Sequence, residues 1–173
     1  MNKIFNKLTH TKWHIWLRDM VVVCAIFFVI NAWQSQNMLD VESNMSVDDQ
    51  LLVGLDGQTS MLIKPDKPSL IYFFAPWCKI CSLSIGNLDY LDPDKINIVR
   101  VALDYSNVED IQKFADVHNI SSQILLGHDG LKQQFKIQGY PTYYILDDQQ
   151  KVLAKSNGYS TALGLKLRAV FSG

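Results

Sequence analysis

The chain has 173 residues, a formal net charge of -1, 48% apolar residues and 19% charged ones. That length accommodates one domain plus an appendage. The near-neutral charge removes the electrostatic case for nucleic acid, the apolar content argues against a disordered chain, and three cysteines are too few for a disulfide-scaffold miniprotein.

Met20 to Trp33 (MVVVCAIFFVINAW) carries no charge. A spanning helix needs about 20 apolar residues, so the run is extended back to Ile15 and takes in Arg18 and Asp19. These two pair with each other or snorkel to the interface. Trp13, Trp16 and Trp33 bracket the run as interfacial anchors do. We read 1–14 as a cytoplasmic tail and 15–33 as an uncleaved transmembrane anchor in the lipid bilayer. A cleaved signal peptide is the rival reading. Cuts after Ala32 or Ser35 put Ile30 or Trp33 where a small residue belongs. A lipoprotein site at Cys24 fails because the apolar run follows that cysteine and Val23 is too large. Lys3, Lys7, Lys12 and Arg18 precede the anchor, whereas Asp40, Glu42, Asp48 and Asp49 follow it with no basic residue before Lys64. Basic flanks stay cytoplasmic, so the remainder of the chain is exported. Cys24 then reads as a small apolar residue within the bilayer.

Residues 34–50 are polar and acidic, without periodicity, and read as a linker. From 51 to 173 the pattern is that of one domain. Leu51–Leu55 and Met61–Ile63 flank Asp56-Gly57, a hairpin signal. Ser69–Ala75 is a continuous apolar run, the mark of a strand buried on both faces. A helix follows from Cys78 to about Leu91, then a second buried strand, Ile96–Leu103. Ser106-Asn107-Val108-Glu109 matches a capping box opening a helix that places Val108, Ile111 and Ala115 on one face. Gln123–Leu126 is a short strand and Leu131–Phe135 a short helix, with His128-Asp129-Gly130 read as a turn. Tyr143–Leu146 and Val152–Lys155 form a hairpin, and Thr161–Phe171 a closing helix. Alternating strands and helices imply a central sheet covered on both faces. Phe73 and Phe74 fill the core on opposite faces, and Tyr143 and Tyr144 pack their strand.

The sharpest chemical signal is Trp77-Cys78-Lys79-Ile80-Cys81, which follows a buried strand and begins a helix. Cysteines so spaced can close a small disulfide ring with little backbone movement. The first sits where helix N–H groups converge, which favours its thiolate, and Lys79 offers a positive charge beside it. The thiolate is the attacking species in thiol–disulfide exchange. Three other readings stand beside exchange. A structural disulfide gains little entropy from so short a loop. Structural zinc needs two more ligands, yet His10 and His14 lie across the membrane and His118 and His128 lack paired spacing. Copper held by two thiolates is chemically sound. The second signal is Gly139-Tyr140-Pro141-Thr142, a proline just before a strand and a candidate for a cis bond.

FFAPWCKIC, followed downstream by KIQGYPTYYILDDQQKVLAKSNGY, resembles the thioredoxin superfamily and, within it, the membrane-anchored TlpA-like branch. The basic tail, the single anchor and the closing GYSTALGLKLRAVF are similar to the bacterial suppressor-of-copper-sensitivity D proteins. The resemblance implies an α/β, thioredoxin-like fold: a central mixed sheet flanked by helices, with a TlpA-type insert around Asp116 to Leu126, behind an N-terminal transmembrane helix. It makes Cys78 the nucleophile, Cys81 the resolving thiol, Pro141 the cis-proline facing them and Trp77 the aromatic beside the disulfide. The Tyr140 backbone would pair with an extended substrate segment. Lys79 and Ile80 are supporting residues between the cysteines. Three positions depart from the family pattern. Ile80 stands where proline is frequent, Gly86 replaces a helix-kinking proline, and Tyr72 replaces a buried aspartate, so the proton acceptor for Cys81 is unassigned.

The expectation is a single-pass bacterial inner-membrane protein with a periplasmic thioredoxin-like domain. It exchanges dithiol and disulfide with protein substrates, in the reducing or isomerising direction and with a link to copper tolerance. It draws electrons from a membrane donor of the disulfide-reductase type. The Cys78–Cys81 pair is its redox group, with no other cofactor, no metal and no nucleic acid. The alternatives are a copper-binding or copper-transfer module using the same cysteines and a reductant for cytochrome c maturation.

Overall fold

The computed structural model describes Trp13 and residues 15–26, 28–30, 38–39, 50–64 and 67–171. The chain divides into two units, Met1–Asn37 and Met38–Gly173. In the first, residues 15–26 and 28–30 are helical, and the Arg18 guanidinium pairs with the Asp19 carboxylate at 2.9 Å. Among the described residues no helix is long and apolar enough to cross a membrane. Residues 1–12 of the expected tail and 31–33 of the expected anchor lie outside the described residues.

The second unit is organised by β3 (Ser69–Phe74), in which every side chain is buried. It pairs in parallel with β4 (Asn97–Ala102) from Ser69↔Asn97 to Phe74↔Ala102. On its other side it pairs antiparallel with β6 (Thr142–Leu146) from Ser69↔Leu146 to Phe73↔Thr142. β5 (Ile124–Leu126) extends the sheet beyond β4, and β7 (Val152–Asn157) beyond β6, giving the order β5-β4-β3-β6-β7. The hairpin of β1 (Leu51–Val53) and β2 (Thr59–Met61) turns through Gly57 at φ +78. It meets the free side of β5 by a Gly54↔Leu125 bridge and a Leu55 N–H to Ile124 carbonyl bond of 2.7 Å.

Strand side chains alternate between faces, and two cores result. Ile71 and Phe73 join Leu131, Phe135, Ile137 and Tyr144 on one face. Leu70, Tyr72 and Phe74 join Cys81, Ile85, Leu88 and Phe114 on the other. The expected opposition of Phe73 to Phe74, and the packing of Tyr143 and Tyr144 on the sheet, is found. Met38 and Leu39, inside the segment read as a linker, are buried in the first core. The Leu39 N–H donates to the Tyr144 hydroxyl at 3.3 Å, and that hydroxyl donates to the Phe135 carbonyl at 2.8 Å. Residues 40–49 of that segment lie outside the described residues.

Local departures have local causes. The helix after Cys78 is α only over α1 (Lys79–Ser84) and becomes a 3-10 helix over Ile85–Tyr90. The Ser84 hydroxyl donates back to the Ile80 carbonyl at 2.9 Å, a bond that bends helices. α2 (Val108–Val117) is capped by Asn107, whose side chain accepts the Asp110 N–H at 2.9 Å, and not by Ser106. Asparagine caps as well as serine, and its extended backbone puts the first turn one residue later. Ile111, Phe114 and Ala115 face the core, and Val108 is 41% exposed. His128-Asp129-Gly130 is no simple turn: His128 caps α3 (Asp129–Gln134), its Nδ1 accepting the Leu131 N–H. The chain ends on α4 (Ala162–Phe171).

The Tyr144 hydroxyl bridges Leu39 to Phe135, so Tyr144→Phe leaves a buried N–H unpaired and should cost about 1–3 kcal/mol. The check is a lower urea midpoint at unchanged slope; an unchanged midpoint would show that the bridge contributes nothing. Burial pushes the Tyr144 phenol up to about 12, above the unfolded value near 10. Its contribution is therefore intact below about pH 10 and lost as pH rises toward about 12. Tyr144→Phe should make the alkaline fall in stability shallower.

Candidate active site

β3 ends at Phe74, and Ala75-Pro76-Trp77 carries the chain to α1. The Cys78 N–H bonds the Ala75 carbonyl at 3.0 Å, so the first cysteine is held by the strand it leaves. Cys78 is the N-cap of α1, and its sulfur accepts the Cys81 backbone N–H at 3.1 Å. Cys78 and Cys81 are joined by a disulfide, with Cα atoms 5.2 Å apart. Cys78 is 6% exposed and Cys81 0%. An incoming sulfur can therefore reach only Cys78. A hydrogen bond donated to sulfur favours its charged form, and so stabilises a Cys78 thiolate over the thiol. Lys79 and Ile80 lie exposed on the first turn of α1.

Two aromatic residues stand at the site. Trp77 is 67% exposed, and its indole N–H donates to the Asp104 carbonyl at 2.7 Å. Its ring meets the Tyr140 ring edge-on, with centroids 5.8 Å apart. The Tyr140–Pro141 peptide bond is cis, and the Thr142 hydroxyl closes that turn on the Gly139 carbonyl at 2.7 Å. A cleft of about 470 Å³ opens beside Trp77, with Phe114, Val117 and His118 among its walls.

Beneath the cysteines lies Tyr72. Its hydroxyl donates to the Cys81 carbonyl at 3.3 Å and lies 3.1 Å from the Ser84 hydroxyl. Its ring packs on Tyr143, with centroids 4.9 Å apart. Burial pushes the Tyr72 phenol well above its ordinary value, so it stays neutral. It ties the start of α1 to β3 through the Cys81 carbonyl.

Sequence reasoning missed Asp104, Lys132 and Ser84. Asp104 lies just past β4, and its carboxylate pairs with Lys132 of α3 at 2.6 Å. No spacing in the sequence marks that pair. Among the described residues no group of three or more His, Cys, Asp or Glu side chains is placed to hold a metal ion. His118 packs on Phe114, 4.5 Å between centroids, and His128 serves as a helix cap. His10 and His14 lie outside the described residues.

No family model matches the chain. The thioredoxin-like protein YneN of Bacillus subtilis is 27% identical over 143 residues, covering 78% of this chain and 84% of that one. Among solved structures, the exposed lipoprotein thioredoxin Etrx1 of Streptococcus pneumoniae superposes with a TM-score of 0.64 at 21% identity, over 71% of this chain and 98% of that one. A thiol:disulfide interchange protein of Chlorobium tepidum gives 0.64 at 17% identity, over 78% and 100%. The fold is thioredoxin-like.

The exposure difference has a direct readout. In the reduced full chain, iodoacetamide should alkylate Cys78 first, with Cys81 at least about tenfold slower, because both thiolate character and access favour the former. Mapping by peptide mass checks this. Equal labelling would mean that the asymmetry does not survive reduction.

Proposed function

We propose that this chain is a thioredoxin-like protein disulfide oxidoreductase working through Cys78 and Cys81. The observation that carries the reading is the pairing of one reachable and one buried sulfur at the N-terminus of α1, in a fold shared with thioredoxin-like proteins.

The chemistry follows from that asymmetry. In the reduced protein the Cys78 thiolate attacks one sulfur of a substrate disulfide. The substrate S–S bond breaks, and the departing sulfur leaves as a thiolate and takes a proton. Cys81 then gives up its proton and attacks the Cys78 sulfur. The mixed disulfide breaks, the second substrate thiol is released, and the Cys78–Cys81 bond forms with two electrons passed to the substrate. Trp77 precedes the reacting sulfur and its ring meets that of Tyr140; in this reading the Tyr140–Pro141 turn faces the sulfur, and an extended substrate segment lies against the Tyr140 backbone.

Within this reading the chain is a TlpA-like protein anchored through 15–33 in a bacterial inner membrane, with its domain in the periplasm. The basic flank before the apolar run and the acidic one after it support that orientation. The reducing or isomerising direction, and supply from a membrane donor of the disulfide-reductase type, complete the proposal. The link to copper tolerance rests on the sequence resemblance alone.

Cys81→Ser tests the reading. The variant should accumulate mixed disulfides through Cys78 that dithiothreitol releases, and Cys78→Ser should trap none. A copper module would instead trap nothing and lose copper(I) with either substitution, and the exchange reading would fall. Equilibration with glutathione buffers gives the direction. A potential near or below about -270 mV marks a reductant, and one toward about -120 mV an oxidant, which would overturn the reducing assignment.

A further inference from the structure

We propose that Asp104 is a positioning residue that, clamped by Lys132, sets Trp77 and Tyr140 beside Cys78 for the docking of a protein disulfide. This rests on the exchange reading above.

Asp104 acts through both its backbone and its side chain. The Leu103 N–H still bonds the Phe74 carbonyl at 2.8 Å, continuing the pairing of β4 with β3. One residue later the chain breaks away, with Asp104 at φ +48. Aspartate is among the few side chains that tolerate this left-handed conformation. The turn leaves the Asp104 carbonyl 2.7 Å from the Trp77 indole nitrogen. The carboxylate is held by the Lys132 ammonium at 2.6 Å, both groups about two-thirds buried. The lysine belongs to α3, so the pair ties the end of β4 to a helix 28 residues further along the chain.

Tyr140 feels the same carboxylate. Its hydroxyl is buried on the side of the Asp104 carboxylate. Burial first, then the negative charges of Asp104 and Asp129, raise its pKa and keep it neutral. Its ring is the one that meets Trp77 edge-on. An exposed tryptophan free to change rotamer must be ordered when a partner binds, at a cost of about 0.5–1.5 kcal/mol per side chain. The Asp104 carbonyl and the Tyr140 ring fix Trp77 before the partner arrives. The expected benefit falls on docking and not on the sulfur chemistry.

The test uses the full chain in detergent with three variants. Asp104→Asn keeps a side chain that tolerates the left-handed turn and removes the charge. Lys132→Met removes the clamp, and Lys132→Arg restores a cation. Reduction of insulin gives KM and kcat, and a small aromatic disulfide reports on Cys78 alone. The oxidised-minus-reduced fluorescence difference isolates Trp77, the tryptophan beside the disulfide. For Asp104→Asn and Lys132→Met, KM for insulin should rise about two- to fivefold, the range of a partly buried ion pair. kcat and the small-disulfide rate should stay within about twofold. The fluorescence difference should shift in both variants, and Lys132→Arg should recover it together with KM. Unchanged KM and fluorescence overturn the proposal. So does an equal loss with the small disulfide, which would mean that the pair supports the cysteines or the fold. If the wild-type chain reduces neither substrate, the exchange reading itself has failed.

Discussion

Strand β3 has no exposed face, and the rest of the domain is arranged to satisfy it. Its backbone groups are taken by β4 on one side and β6 on the other. Its side chains alternate into two cores, so helices and loops must cover both surfaces. The chain can leave such a strand only at its end, and there it places Cys78. The first cysteine is thus tied to the fully buried central strand. The Cys78 to Ala75 and Leu103 to Phe74 hydrogen bonds continue that anchoring just past the ends of β3 and β4. A site that must hold one sulfur reachable and its neighbour unreachable profits from such a mounting.

The buried polar arrangement below the cysteines is made of hydroxyls. Tyr72 and Ser84 satisfy each other and the backbone of α1 without placing a charge beside Cys81. A buried carboxylate there would carry a large desolvation cost unless paired. A phenol held neutral avoids that cost and still fills the space with an aromatic ring packed on Tyr143. Charge is brought in at the side of the site, through the Asp104–Lys132 pair.

Much of the fold is legible in the sequence because its strongest signals are local. The unbroken apolar run of β3 and the Asp56-Gly57 turn are enough to place the central strand and the hairpin. Cys78 and Cys81 stand out by spacing, and Pro141 by its position before a strand. What escapes depends on contacts between distant residues. Met38 and Leu39 are two apolar residues in a polar stretch, and only the Tyr144 hydroxyl, 105 residues on, shows that they belong to the core. The capping pattern at Ser106 competes with an equally good one at Asn107, and backbone geometry decides between them. Asp104 has no motif at all. Its role comes from a left-handed backbone and a lysine 28 residues later.

The hairpin β1–β2 also bears on what the domain refuses to do. Without it β5 would present a free row of backbone donors and acceptors, a template on which any extended chain can grow the sheet. Gly54 and Leu55 occupy part of that row. At the opposite border β7 carries Lys155, and charge on a border strand discourages such growth. With the hairpin on one border and a charged strand on the other, neither edge of the sheet is open to another extended chain along its full length.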